Sequence, residues 1–371
     1  MRVKSISWLH QINYGGVETR AHRIADCLSR SADVELLFAG TLGKVRHYQN
    51  QNGLKYTPLQ IYFNPYKVYH KRFWEEFFIN KATRYLKKRR GQLDVVDGQG
   101  INAIPGINLG VPAVTTIHGV DRWIKNPPAL ERLLLEKASK IIAISEKTGN
   151  RLSEAGVNRD RIKVIHNGVD FDRISNTTVE SPGFLKKYGV DPDKKIILSV
   201  HNFLRRIKNT EAVIDCFVSF KRRHPEYQLV LIGGGPDKPY YLEYARRTGG
   251  EDIHFTGTLF NEELYRFYKS AHIFLLPSFS EHWPITPFEA MAARCPVILT
   301  RNCDVTEMVK DKKHLVLVDP HDTSDIEKAV RMLVENNDLR EELKENGYEL
   351  ARNLRWEKQA ELFNYELEYL R

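Results

Sequence analysis

Two glutamates, one histidine, a glycine pair and a short basic loop are the residues of this sequence best suited to chemistry. Glu281 and Glu289 are separated by seven residues within 280–297, SEHWPITPFEAMAARCPV. The apolar run before them, residues 273–276, reads as a buried strand. Thr286, Pro287 and Glu289 then read as a helix start, with threonine as N-cap, proline at the first helical position and glutamate completing a capping box. Glu281 therefore sits in a loop after a strand and Glu289 in the first turn of a helix. In an open α/β sheet such loops lie at the carboxyl edge, where ligands bind. His118 closes the strand expected over 112–117 and precedes Gly119, which places it at a similar edge. Gly15 and Gly16 stand between the first expected strand, 3–9, and an amphipathic helix. There backbone N–H groups can approach a ligand at a positive helix terminus. Taken singly, each has a plainer reading: Glu289 as a cap, Glu281 as a solvated carboxylate, the glycines as a turn.

The elements that position these residues follow a βα rhythm. In the second half, strands are expected over 195–200, 228–232, 253–256, 273–276, 297–300 and 315–318, with helical segments between them. This pattern implies a parallel sheet with right-handed crossovers. In the first half, strands are expected over 93–96, 112–117 and 140–145. Residues 172–194 are rich in Ser, Pro, Asp and Lys and read as a hinge. The expected domains are 1–172 and 185–353, followed by a helical run over 354–371.

The string around the two glutamates, PSxSExxxxxPxEAMAxxxPVI, resembles the E-x7-E signature of glycosyltransferase family 4, which comprises retaining nucleotide-sugar transferases. The resemblance spans nearly the whole chain and implies the GT-B fold, with two Rossmann-like α/β domains facing a cleft and the terminal helix 354–371 completing the first of them. It further implies that Glu281 contacts the transferred sugar and that Glu289 accepts hydrogen bonds from the nucleotide ribose. Gly15 and Gly16 match the family's glycine loop against donor phosphates and acceptor. His118, in Thr116-Ile117-His118, matches a histidine near the sugar. Gly233-Gly234-Gly235-Pro236 resembles a family turn. Gly257 to Asn261 resembles the segment whose backbone holds the nucleobase, which nominates Leu259 and Asn261. Asn261 also reads as the N-cap of the next helix.

A leaving nucleoside diphosphate needs its charge stabilised, by a metal or by fixed cations. No metal-ligand cluster is evident in the sequence, and the Asp170-Phe171-Asp172 and Asp191-Pro192-Asp193 strings read as surface carboxylates. Members of the family use an arginine and a lysine in GRLxxxKG or GRLxxxKN. Here Lys208-Asn209 matches the lysine and its neighbour, but His201-Asn202 stands where Gly-Arg is expected, with one extra residue in the loop. Arg205 or Arg206 then supplies the guanidinium, with Arg206 preferred. Pro284 stands where glycine is usual and removes a backbone N–H. These departures keep open a second reading, a non-catalytic GT-B subunit that stabilises a partner transferase.

The chain of 371 residues has 42% hydrophobic and 28% charged residues, as expected of a globular protein with two cores. No apolar run approaches the roughly 20 residues that span a bilayer. The N-terminus does not read as a signal peptide, and four cysteines without ligand spacing read as reduced thiols, so a cytoplasmic location is expected. The formal charge of +9 suggests anionic partners. The expected partners are a UDP- or GDP-linked sugar as co-substrate, with no other cofactor, and a hydroxyl acceptor on a glycan or lipid-linked saccharide. Nucleic acid is set aside, since no recognition motif accompanies the charge. Residues 66–90 hold nine Lys/Arg, two Glu and seven aromatics. Two readings stand: a membrane-surface helix meeting anionic lipid and, preferred, a crossover helix whose Tyr69, Phe73 and Phe77 stripe packs on the sheet. The basic Lys87 to Arg90 end is left to touch an anionic membrane peripherally, at the inner face.

Overall fold

The computed structural model describes residues 1–7, 15–41, 48–61, 71–120, 124–179 and 182–370. The chain divides into two compact units: Met1–Gly168 with Trp356–Arg371, and Val169–Arg355.

The first unit is built on an eight-stranded sheet. Its strands are β1 (Arg2–Ser7), β2 (Asp33–Thr41), β3 (Tyr48–Gln49), β4 (Lys55–Ile61), β5 (Val95–Gln99), β6 (Ala113–Ile117), β7 (Lys140–Ala143) and β8 (Ile162–Val164), in the order β3-β4-β2-β1-β5-β6-β7-β8. All neighbours are parallel except β3 and β4. β5 and β6 are buried along their whole length, as strands covered by helices on both faces must be. Strands β2, β3 and β4 are not anticipated from the sequence, and Pro58 within β4 hides it further.

The Lys71–Lys87 helix packs as a crossover, but not on the stripe expected of it. Phe78, Ala82 and Leu86 are buried with Leu37, Leu59 and Val96, whereas Phe73 and Phe77 are exposed. Tyr69 lies outside the described residues. The helix turns its four-residue repeat of Phe78, Ala82 and Leu86 inward, and the Phe73–Phe77 repeat points outward.

The C-terminal helix, Trp356–Glu368, belongs to this first unit. Trp356, Phe363 and Leu367 are buried. Glu366, also buried, pairs with Lys140 at 2.9 Å and Lys163 at 3.4 Å. A Cβ on Gly168 would lie 2.7 Å from the Trp356 ring, so glycine is required where the indole seats.

The second unit has a six-stranded parallel sheet: β9 (Lys195–Val200), β10 (Tyr227–Ile232), β11 (Ile253–Gly257), β12 (Ala271–Leu276), β13 (Val297–Thr300) and β14 (Val316–Val318), in the order β11-β10-β9-β12-β13-β14. The polar stretch 172–194, expected as a hinge, falls within the Val169–Arg355 unit. Within it Ile174, Leu185 and Val190 are buried and Phe184 meets Phe267 at 5.1 Å between ring centroids, while Val179 is exposed. Just before it, Phe171 is buried against Tyr348. The Gln228 amide, wholly buried, is satisfied by the Asp191 backbone on both sides. Asp170 accepts from the Tyr265 hydroxyl at 2.6 Å, and Asp172 pairs with Arg355 at 3.0 Å.

Candidate active site

In the second unit, β9 and β12 are adjacent parallel strands, so the loops leaving their carboxyl ends are neighbours. The Phe279 N–H donates to the Ile207 carbonyl at 2.9 Å and ties the two loops together. This register brings Lys208 onto Glu281, with Nζ 2.6 Å from Oε1 and side chains only 18% and 10% exposed. The loop after β13 holds Glu281 from the other side. Glu281 N–H donates to the Asn302 carbonyl, and Asp304 N–H bonds the carbonyls of Glu281 and His282. The buried Asp304 carboxylate also faces His282 Nδ1 at 3.3 Å.

Asn209 explains why the residue after the lysine is Gly or Asn in the GRLxxxKG and GRLxxxKN patterns. Its backbone is left-handed, φ 52° and ψ 41°, a conformation that only glycine and asparagine adopt readily. Its buried amide donates to the carbonyls of Pro277 and Pro320 at 3.1 and 2.7 Å.

The two candidate arginines differ in their commitments. The Arg205 guanidinium lies over the Tyr240 ring at 3.8 Å, reaches its hydroxyl at 2.9 Å and pairs with Glu211. Arg206 is exposed and has no such partner among the described residues.

His201 is buried beside this loop. Its N–H donates to the Ile232 carbonyl, and its carbonyl lies where a Cβ on Gly233 would be, at 1.9 Å. The triple-glycine turn is therefore glycine because the β9 loop runs against it; Gly235 is packed similarly on Phe203. Burial and the charge of Lys208 push the imidazole down to about 4. The ring is thus neutral at pH 7, with Nδ1 bonded to the Asn202 carbonyl at 3.2 Å. The sequence reading took His201 only as a departure from Gly-Arg.

Glu289 lies in the first turn of the Thr286–Ala292 helix, but the expected capping box is not formed. Ile285 is already helical and occupies the N-cap, its carbonyl accepting from Phe288 and Glu289. The Glu289 carboxylate instead accepts from the Tyr268 hydroxyl at 2.8 Å. Burial and that carboxylate hold the tyrosine proton well above its usual range. Asn261 is likewise not an N-cap. Phe260 takes that place, and Asn261 is left-handed (φ 50°) with its amide oxygen 3.5 Å from Arg173. Leu259, half-buried, precedes it in the loop after β11.

In the first unit, His118 Nε2 donates to the Gln99 side-chain oxygen at 2.7 Å, across the neighbouring strands β5 and β6. Both residues line a cavity of about 330 Å³ with Asn102, Thr116, Glu75 and Glu131. Val17 and Glu18 of the Gly16–Leu28 helix complete one wall; Gly15 and Gly16, just before them in the chain, are not among the lining residues. Gly15 N–H donates to the Glu18 carboxylate at 3.1 Å, which places a negative charge at that helix terminus. Asn102 is 7% exposed, and its Oδ1 has no partner among the described residues. Gln99 and Asn102 were missed from the sequence; the only signal was the polar run Asp97-Gly98-Gln99-Gly100 ending a buried strand.

Comparison with known proteins decides the family. The model of glycosyl transferases group 1 matches residues 182–350, and that of glycosyltransferase family 4 matches residues 14–173. The chain belongs to glycosyltransferase family 4. An uncharacterised glycosyltransferase of Methanocaldococcus jannaschii is 25% identical over 373 residues, covering 94% of this chain and 92% of that protein. Sucrose-phosphate synthase from Thermosynechococcus elongatus superposes with a TM-score of 0.82 at 17% identity, covering 100% of this chain and 99% of that one. Anabaena HepE, solved in complex with UDP-glucose, gives a TM-score of 0.77 at 16% identity, with 99% of each chain covered. The fold is the two-domain GT-B arrangement of parallel-sheet α/β units that these neighbours share, and the chain is a transferase of the glycosyltransferase class.

Proposed function

We propose that this glycosyltransferase moves a sugar from a nucleoside diphosphate to a hydroxyl of a glycan or lipid-linked saccharide, with retention of anomeric configuration. The observation that carries the reading is the Lys208–Glu281 pair, held by three loops at the carboxyl edge of the second sheet. A half-buried ammonium there suits a diphosphate better than its carboxylate partner does, because a dianion gains more from a cation shielded from water. Donor binding would thus transfer Lys208 from Glu281 to the phosphates and release Glu281 to the sugar hydroxyls. Arg206 is the better placed second cation, since Arg205 is committed to Tyr240 and Glu211. Glu289 is read as the ribose acceptor, and Leu259 and Asn261 as neighbours of the base. UDP is the first nucleotide to try, given the UDP-glucose held by the HepE neighbour.

The hydrogen-bonding lining of the His118 cavity suits a hydroxyl-bearing acceptor, and Gly15 and Gly16, next in the chain to its Val17 wall, are read as the turn that meets donor phosphates and acceptor. Glu18 would have to leave Gly15 before that turn could meet a phosphate. In the transfer, the bond from C1 to the phosphate oxygen breaks and the acceptor oxygen bonds C1 on the same face. The acceptor proton passes to the departing phosphate. Fixed cations carry the leaving-group charge in this reading, so activity is expected to persist in EDTA.

The test is transfer and hydrolysis of UDP- and GDP-sugars, with the product anomer read by NMR. Lys208→Ala and Glu281→Gln are each expected to lower kcat by about 10²–10³, the usual cost of removing transition-state charge stabilisation. Unchanged rates would overturn the assignment of these residues, and an inverted product would overturn retention.

A further inference from the structure

The Lys71–Lys87 helix presents a face that the core does not use. At about 100° per residue, Phe73, Phe77, Asn80, Arg84 and Lys87 fall within an arc of roughly 80°. The buried Phe78, Ala82 and Leu86 lie on the opposite side. Phe73 is 59% exposed and Phe77 41%. Along this face the aromatics come first; the basic side chains Arg84 and Lys87 follow, and Lys88 and Arg90 extend the charge just beyond the helix. None of these four cations has a carboxylate partner among the described residues.

The C-terminal helix, which exposes several apolar side chains, contrasts with it. On Trp356–Glu368, the exposed Leu362 and Tyr365 stand beside the exposed Glu361 and Glu368. The Lys71–Lys87 helix has one exposed carboxylate, Glu76, at the edge of its arc against four cations. That balance matches an anionic bilayer, where rings insert at the head-group level and cations meet lipid phosphates.

We propose that the outward face of the Lys71–Lys87 helix is a docking surface for an anionic lipid bilayer. Phe73 and Phe77 enter the interface, and Arg84, Lys87, Lys88 and Arg90 lie on the phosphates. The same helix lends Glu75, from its opposite side, to the wall of the His118 cavity, so a seated helix stands between that cavity and the lipid, one helix diameter, roughly 10 Å, away. The inference deepens the acceptor part of the proposed function, and vesicle binding is measured without a sugar donor. Failure to bind vesicles leaves donor chemistry standing, and absence of transfer leaves the docking face standing.

The full chain is sedimented with vesicles of phosphatidylcholine alone or with 30 mol% phosphatidylglycerol, at low and at high NaCl. Binding is expected only to the anionic vesicles and is expected to weaken with salt. Each basic residue near the surface contributes about fivefold in affinity. Arg84→Glu/Lys87→Glu/Lys88→Glu is therefore expected to lose at least roughly 100-fold. Phe73→Ser/Phe77→Ser is expected to lose roughly tenfold through lost apolar burial. All of these side chains are exposed, and circular dichroism melting checks that each variant folds. Equal binding to neutral vesicles, no binding, or variants that bind like wild type would overturn the proposal. So would tighter binding to duplex DNA that is indifferent to the two phenylalanines.

Discussion

His201 shows how much one buried side chain is set by its surroundings. Its folded pKa is depressed from 6.5 to about 4 by burial and by Lys208. The unfolded chain therefore takes up a proton as pH falls below 6.5, while the folded chain does not until about 4. Stability from this group is present above pH 6.5 and is lost as pH falls toward 4. At pH 4.5 the loss amounts to about 2.5 kcal/mol. Urea unfolding of wild type and of His201→Gln from pH 7 to pH 4.5 should show wild type losing that much more than the variant. A constant difference across the range would mean that the imidazole is not held neutral. The residue scale was only partly legible in the sequence. Lys208, Glu281, Glu289 and His118 carry motif signals, but the unlike surroundings of Arg205 and Arg206 rest on Tyr240, distant in sequence, and on how the loop folds back to Glu211.

Elements meet this site through their ends, and Asn209 at the start of the Thr210–Lys221 helix is the sharpest case. Asn209→Ala imposes left-handed strain and leaves the Pro277 and Pro320 carbonyls without their donor. The expected cost is about 2–4 kcal/mol. Asn209→Gly removes the amide but not the conformation, at about 1–2 kcal/mol. Denaturant titration should rank wild type above Gly and Gly above Ala; alanine equal to or better than glycine would refute the backbone argument. The same distinction separates the sequence readings that failed. The Thr286 and Asn261 caps were sound by residue preference. The observed boundaries differ because Ile285 is already helical and because Asn261 is itself left-handed. Preference describes a free helix end, whereas here tertiary contacts had already set the backbone.

At the scale of the molecule, the first unit is discontinuous: its last helix arrives only after the second unit is complete. Removing 356–371 exposes the partners of Trp356, Ala360, Phe363 and Leu367 and leaves Lys140 without Glu366. The expected loss is about 6–10 kcal/mol from four buried side chains, comparable to the whole stability of a domain. Chain ending at Arg355 should therefore show a first unit that is protease-sensitive while residues 169–355 stay protected. Equal protection of both units would mean that the terminal helix is dispensable. The aromatic and basic face of Lys71–Lys87 also belongs to this scale, because it is defined by what the rest of the molecule leaves uncovered.

The order of strands and helices in the second unit and the loop position of Glu281 follow from local pattern, whereas the place of Lys208 and the return of the terminal helix were implied by the family resemblance. Apolar runs, turn glycines and caps act over a few residues and can be read in line. Which strands are neighbours, and so which loops meet, depends on contacts across many residues. That is why β9 beside β12 sets Lys208 against Glu281, and why the need for glycine at Gly233 comes from the His201 carbonyl. The sign of the aromatic stripe on Lys71–Lys87 was undetermined for a related reason. Two stripes of equal period compete for one sheet, and only packing volume and shape decide which is buried.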